Sequence, residues 1–175
     1  MRQLAAAAST ELRAVLLDLH DAVLEQQGLL RALEAYAAVV RQRSGLQVEL
    51  RLGEPLGEPC AACLGTTGPG AQVPRAHEEA LYYVAREALT NVVKHARTTH
   101  ATVTLWWGKT VRLVVEDDGV GFDRPAEAEP GAYTYGLAGM RERVAALGGR
   151  LRLENRAGGG ARVVAELPVG EAADR

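Results

Sequence analysis

The chain has 175 residues, of which 47% are hydrophobic and 24% charged, with a net charge of −2 at pH 7. This balance is typical of a globular protein with one sizeable core, and the slight negative charge argues against direct nucleic-acid binding through a general basic surface. No apolar run approaches the roughly 20 residues that a membrane-spanning helix needs, and the Ala-rich start has too little apolar bulk for a signal peptide.

Two helical runs open the chain. Apolar residues recur at spacings of three and four over 10–27 and again over 29–44, with Gly28 between the two runs. Residues 46–51 then alternate between apolar and polar, which predicts a strand with one buried face. We therefore expect a helical segment over the first 44 residues, followed by a domain that begins with this strand.

The stretch 53–74 differs in composition from its neighbours, since it contains five glycines and four prolines. That content predicts a mobile loop. Its two cysteines, Cys60 and Cys63, form a single CxxC, whereas a structural zinc site needs four ligands. Plain thiols in a loop are the simpler interpretation, and a metal or redox site is the alternative.

The second half of the chain alternates between helix and strand patterns. The predicted elements are a helix over 77–96, strands over 101–107 and 111–117, a polar loop over 123–135, a helix over 137–147, and strands over 150–155 and 161–167, before a tail over 171–175. This order predicts an α+β fold, a two-layer sandwich with helices on one face of a mixed, mostly antiparallel sheet.

The predicted helix over 77–96 carries four polar residues along one side, because they are four, seven and eight positions apart. They are Glu87, Asn91, Lys94 and His95, in the run EALTNVVKHA. The Asn91 amide oxygen can ligate Mg²⁺, Lys94 can neutralise phosphate charge, and Glu87 can orient a water or act as a base. These residues suit a metal-bound polyphosphate, although alone they also fit a solvated helix face.

An acid–glycine motif, DDGVGF, follows directly after a predicted strand and begins at Asp117. Its glycines let the backbone approach a ligand closely, because glycine has no Cβ. The carboxylate can accept a hydrogen bond from an exocyclic amine such as that of adenine. The alternative is a tight turn without a ligand.

A third motif places Gly136 and Gly139 at the start of a predicted helix, in YGLAGM. Glycines there free backbone N–H groups to meet an anion, and the helix dipole adds to the attraction. A simple junction between loop and helix is the alternative.

In this order and spacing, the three motifs resemble the ATPase domain of histidine kinases, within the wider family of gyrase, Hsp90 and the mismatch-repair ATPases. EALTNVVKHA resembles the N box, DDGVGF the G1 box and YGLAGMRERVAALGG the G2 box. The pattern is most similar to the NarL-type subfamily of sensor kinases. The resemblance covers about residues 77–168 and implies a Bergerat-type ATPase fold for a catalytic domain over 45–170.

The resemblance also implies roles for individual residues. Asn91 would hold Mg²⁺ and Asp117 would read the adenine amine, while residues 123–135 would form the ATP lid. The family often has Thr after its last glycines, where this chain has Ala161, and one hydrogen bond to the base is therefore in doubt. The implied catalytic residues are Glu87, Asn91 and Lys94, and the implied ATP-binding residues are Asn91, Lys94, His95, Asp117, Gly119, Gly121, Phe122, Gly136, Leu137, Gly139 and Met140.

The implied function is phosphotransfer in a two-component system. The domain would supply the γ-phosphoryl group of Mg·ATP to a phosphoacceptor helix of the same kinase, for relay to the receiver domain of a response regulator. The alternative is an ATP-binding switch or an anti-sigma-type serine kinase. The resemblance further implies a cytoplasmic domain of a homodimeric parent protein, which is soluble or membrane-anchored through an upstream region.

His20 lies in LHD, which resembles the phosphoacceptor box of the family. Only a short helical run separates it from the first strand, however, and the family's usual basic residue and Glu do not precede it. We predict that His20 is a surface or packing histidine and that the phosphoacceptor helix lies outside this chain. Residues 1–44 then resemble the second dimerisation helix and its connector.

Overall fold

The computed structural model describes the backbone of residues 2–53, 73–122 and 134–169, and the side chains of 22–53, 73–122 and 136–169. Several expectations lie outside the described residues, namely most of the loop over 53–74 with Cys60 and Cys63, most of the lid over 123–135, the tail over 171–175, and the side chain of His20. The elements in chain order are α1 (Arg2–Ser44), β1 (Gln47–Leu52), α2 (Arg75–Asn91) with a π-helical turn (Val92–Ala96), β2 (His100–Trp106), β3 (Thr110–Asp117), α3 (Thr134–Ala146), β4 (Arg150–Asn155) and β5 (Ala161–Pro168).

The long helix α1 is divided in two at Gly28, as its position in the sequence predicts. Gly28 has φ 77° and ψ 177°, which are not helical values. The second half restarts at Leu29, whose N–H donates to Oε1 of Glu78 on α2 at 3.3 Å. The predicted start at residue 10 is wrong, because the helix begins at Arg2 and includes the alanine run before that position, and alanine has the highest helix propensity.

The helix that carries the N-box-like run does not continue as a regular α-helix to residue 96. α2 ends at Asn91, and a π-helical turn follows before Arg97 takes the left-handed conformation with φ 54°. Such single π turns occur frequently at functional sites. The turn changes which side chains lie on the same side as Asn91.

α3 begins at Thr134, three residues before the predicted start, and ends at Ala146. Gly148 follows with φ 70°, and its N–H donates to the carbonyl of Ala145 at 3.0 Å. The predicted stop at Gly148 is therefore confirmed, since a glycine with positive φ is the usual way to end a helix.

The five strands form one sheet in the order β1-β2-β3-β5-β4. β1 pairs parallel with β2, and the other three pairings are antiparallel. Each strand after α2 begins and ends within one residue of its prediction. The predicted α+β fold with a mixed, mostly antiparallel sheet is confirmed.

α2, α3 and the second half of α1 cover one face of this sheet, and the core lies between the two layers. Its largest fully buried side chains are Leu33, Leu81, Leu89, Leu105, Leu113, Met140, Leu167, Val84, Val103, Val111, Val115 and Val144. On the opposite face of the sheet, arginine and glutamate side chains form ion pairs across strands, for example Arg152 with Glu166 at 3.0 Å. Within the described ranges, no helix has the length and apolar character required to cross a membrane.

Candidate functional site

A narrow cavity lies where the end of α2 and its π turn meet the ends of β3 and β5. Its volume is about 30 Å³, which is room for about two water molecules. A ligand much larger than this does not fit into the cavity as it stands. The lining residues are Ala88, Asn91, Val92, His95, Ala96, Val115, Asp117, Gly121, Phe122, Ala161 and Val163.

The most buried polar side chain that lines this cavity is the carboxylate of Asp117, which is only 5% exposed. Its Oδ1 accepts hydrogen bonds from the N–H groups of Gly119 at 2.8 Å and Ala161 at 3.3 Å. Among the described residues, none donates a hydrogen bond to its Oδ2. A buried carboxylate with one oxygen fixed by backbone donors is suited to accept a hydrogen bond from a ligand in the cavity.

The neighbouring acid, Asp118, has a different environment. It is exposed, and its Oδ1 accepts a hydrogen bond from the hydroxyl of Thr98. That hydrogen bond holds the pKa of the Asp118 carboxyl below its usual value. Asp118 does not line the cavity, so the two adjacent acids divide into one that faces the cavity and one that anchors the loop.

Two glycines allow the backbone around Asp117 to pack closely. A Cβ on Gly119 would lie 2.0 Å from the carbonyl oxygen of Ala96, to which the next N–H, that of Val120, donates at 2.9 Å. A Cβ on Gly160, which has φ 88°, would lie 2.0 Å from the carbonyl oxygen of Asp117. Because Gly119 has no Cβ, the DDGVGF loop can pack against the end of the π turn. In the same way, Gly160 lets the β4–β5 turn approach Asp117.

Asn155 is a positioning residue that the sequence motifs do not indicate. It lies at the end of β4, 33 positions from Phe122, and forms two hydrogen bonds with the backbone of that residue. The Phe122 N–H donates to its Oδ1 at 2.7 Å, and its Nδ2 donates to the Phe122 carbonyl at 3.0 Å. These bonds fix the last residue of the DDGVGF loop in the wall of the cavity.

The N-box-like helix contributes two of its four predicted residues to the cavity, Asn91 and His95. Lys94 is exposed and does not line it. A π turn contains more residues than an α turn. Lys94, three positions after Asn91, therefore falls well short of a full turn and lies on a different side of the helix from Asn91. Glu87 lies one turn before Asn91 on α2 and does not line the cavity either. It lies against the start of α3, where a Cβ on Gly136 would be 1.9 Å from its Oε1.

The G2-like residues lie on α3, away from the cavity. Leu137 and Met140 are buried in the core, with exposed fractions of 8% and 0%. A Cβ on Gly139 would lie 2.8 Å from the Tyr83 hydroxyl. In a helix that begins at Thr134, the N–H groups without intrahelical partners belong to the first four residues. Gly136 and Leu137 are among these four, whereas Gly139 and Met140 are not.

Of the residues predicted to bind ATP, the cavity thus brings together Asn91, His95, Asp117, Gly121 and Phe122. Gly119 supports the loop beside it, and Lys94, Gly136, Leu137, Gly139 and Met140 lie outside it. Ala161 lines the cavity at the position where the resemblance leads one to expect Thr, and its side chain carries no hydroxyl.

A model of the family described as histidine kinase-, DNA gyrase B-, and HSP90-like ATPases matches residues 76–171. The chain is similar to the signal transduction histidine-protein kinase/phosphatase DegS of Brevibacillus brevis, with 28% identity over 170 residues, which is 97% of this chain and 40% of that protein. It is also similar to the sensor histidine kinase NarS of Mycobacterium tuberculosis, with 36% identity over 146 residues, 82% of this chain and 30% of that protein. The chain therefore spans well under half the length of these relatives.

Solved structures show the same fold. The histidine kinase domain of a blue-light-activated kinase from Erythrobacter litoralis matches with a TM-score of 0.52 and 23% identity, covering 79% of this chain and 59% of that one. Full-length ShkA in complex with AMPPNP matches with a TM-score of 0.57 and 22% identity, covering 83% of this chain and 30% of that one.

Proposed function

Because the chain belongs to the family of histidine kinase-, DNA gyrase B- and HSP90-like ATPases, we propose that it is the ATP-binding catalytic domain of a two-component sensor histidine kinase. The observation that carries this proposal is the buried carboxylate of Asp117, which lines the same cavity as the amide of Asn91. One group is suited to a nucleobase and the other to a metal-bound phosphate. The similarity to DegS and NarS over most of the chain supports the histidine kinase branch.

In this proposal Asp117 recognises the base. The N–H groups of Gly119 and Ala161 hold its Oδ1, and the carboxylate accepts a hydrogen bond from the exocyclic amine of adenine. Phe122, whose backbone is held by Asn155, lines the cavity and would pack against the ring. Because Ala161 has no hydroxyl, its side chain offers no hydrogen bond to the base.

The phosphates extend from the cavity along the N-box-like helix. Mg²⁺ prefers oxygen ligands, and the Asn91 amide oxygen would hold it together with the nucleotide phosphates and water. Among the described residues, no group of three His, Cys, Asp or Glu side chains is placed to hold a metal. When bound, Mg²⁺ neutralises charge on the phosphates. His95 and Lys94, which are both exposed, would lie near the phosphates where these extend beyond the cavity, and Glu87 would orient a water or act as a base.

The proposed reaction transfers the γ-phosphoryl group of ATP to a ring nitrogen of a phosphoacceptor histidine. The histidine nitrogen forms a bond to the γ-phosphorus as the bond to the bridging oxygen breaks, and ADP leaves. The protein contributes chiefly positioning and charge stabilisation. The acceptor lies on a separate helix of the same kinase, and an aspartate of a response regulator receiver domain receives the group next. The parent protein acts as a homodimer, with this domain in the cytoplasm.

The proposal is tested by incubating the chain with Mg²⁺, γ-labelled ATP and a separate protein that carries a phosphoacceptor helix. Label in an acid-labile, base-stable linkage on histidine is the expected result. Acid-stable label on serine, or no label with ATP bound, would favour the serine-kinase or switch alternative and contradict the proposal.

The Asn91→Ala variant should lower the rate of this transfer by roughly 100-fold, because removal of one group that stabilises transition-state charge costs about 2.7–4 kcal/mol. Mg²⁺-dependent ATP binding, measured by calorimetry with and without EDTA, should weaken in parallel. Val93→Ala is the matched control, since Val93 is exposed on the same turn and does not line the cavity. Unchanged Mg²⁺-dependent binding in the Asn91 variant would exclude this residue as a ligand.

A further inference from the structure

A second cavity, which shares no residue with the first, lies between α1, α2 and α3. Its volume is about 320 Å³, roughly ten times that of the Asp117 cavity. The residues that line it are Leu24, Arg75, Glu79, Tyr82, Tyr83, Arg86 and Arg143. We refer to it as the arginine cavity.

The arginine cavity carries an excess of positive charge. Three of its lining residues are arginines and one is a carboxylate, Glu79. Glu79 pairs with Arg75 at 2.8 Å. Arg86 and Arg143 form no ion pair with any carboxylate among the described residues. Two positive charges thus border the same cavity without compensation from that part of the protein, which favours an anionic ligand.

Both of these arginines are held by one aromatic ring. The guanidinium carbon of Arg143 lies 4.3 Å from the centroid of the Tyr83 ring, and that of Arg86 lies 5.7 Å from it. Tyr83 is itself confined, because its hydroxyl packs so close to α3 that a Cβ on Gly139 would lie only 2.8 Å away. Contact with the ring limits the freedom of each guanidinium, so less entropy is lost when an anion binds.

The chemistry of the cavity matches a phosphate group joined to an organic body. Planar guanidinium groups bind phosphate oxygens in bidentate fashion. Leu24 and Tyr82, whose side chains are buried, also line the cavity. We infer that the arginine cavity binds a small organic phosphate monoester, with its phosphate on Arg86 and Arg143 and its apolar part against Leu24 and Tyr82. This site shares no lining residue with the proposed nucleotide site.

Calorimetric titration with phenyl phosphate at low ionic strength tests the inference, with saturating ADP present to occupy the nucleotide cavity. We expect saturable 1:1 binding. Arg143→Gln and Arg86→Gln should each weaken it about tenfold, the usual effect of losing a charge-assisted hydrogen bond. Arg43→Gln removes the same charge from the exposed last turn of α1 and should leave the affinity unchanged.

Two results would overturn the inference: no saturable binding in the presence of ADP, or equal affinity in the wild type and both cavity variants. A parallel titration with inorganic phosphate shows whether the ligand is free phosphate or a phosphate joined to an organic group. Weaker binding of inorganic phosphate supports an organic ligand, whereas equal affinity contradicts a role for the apolar wall. Asp117→Asn should leave phenyl phosphate binding unchanged, so failure of the nucleotide proposal is distinguishable from failure of this one. Thermal melts establish that each variant is folded.

Discussion

Replacement of Asp117 by Asn should lower the affinity for adenine nucleotides by roughly 100-fold, because a buried hydrogen bond to the base is lost and two donors are left facing each other. The Asp117 carboxylate already accepts from the N–H groups of Gly119 and Ala161, and an Asn oxygen can keep those bonds. The NH₂ group of the variant would then point into the cavity, toward the amine of adenine, and two donors cannot pair.

The same substitution should reduce discrimination between ATP and GTP. Guanine carries an oxygen at the position where adenine carries its amine, and that oxygen accepts a hydrogen bond from the NH₂ group of the Asp117→Asn variant. We therefore expect the variant to bind ATP more weakly than the wild type does, and its affinity for GTP to rise relative to its affinity for ATP. Calorimetry with the two nucleotides measures both effects.

Asp118→Asn is the matched control for this experiment. It makes the same change one position away, on an exposed side chain that bonds Thr98 and does not line the cavity. The control should retain wild-type affinity within about threefold, as surface substitutions usually have small effects. Equal losses in the two variants would contradict the assignment of the base-binding acid.

Gly160→Ala should lower the free energy of unfolding by roughly 2–4 kcal/mol, through the combined cost of a strained backbone and of overpacking. Gly160 has φ 88°, and a Cβ there would lie 2.0 Å from the carbonyl oxygen of Asp117. Because that oxygen belongs to the backbone, it cannot move without displacing the cavity acid. Nucleotide affinity should therefore fall together with stability.

Urea denaturation measures the free energy of unfolding of Gly160→Ala and of the control variant Gly158→Ala. Gly158 lies in the same turn, yet a Cβ there meets nothing within 4 Å and its φ is not in the left-handed region. The control should change stability by no more than about 0.5 kcal/mol. If the two variants were equally stable, the close approach of this turn to Asp117 would not constrain the fold.

Much of the architecture follows from local patterns in the sequence. The alternation of apolar and polar residues predicts both ends of each strand after α2 to within one residue. Gly28 and Gly148 correctly predict the break in α1 and the end of α3. The family is also predictable, because the three motifs in order are specific in combination, and the family match over 76–171 confirms it. These features depend on residues close together in the chain.

The features that the sequence does not reveal arise from contacts between distant residues. The pairing of Asn155 with the Phe122 backbone spans 33 positions. The π turn after Asn91, which directs Lys94 outward, has no local pattern that separates it from a continuous α-helix. The different environments of Asp117 and Asp118 depend on where Thr98 and Ala161 lie in space. The roles of all the candidate site residues, including Asn91 and Asp117, remain predictions.

A crystal structure of the chain with Mg²⁺ and a non-hydrolysable ATP analogue tests the central claim most directly. We expect the adenine amine within hydrogen-bonding distance of the Asp117 carboxylate, and the ion bound by the Asn91 oxygen and the phosphates. A nucleotide bound elsewhere, or a base in the cavity without a hydrogen bond to Asp117, would contradict the account.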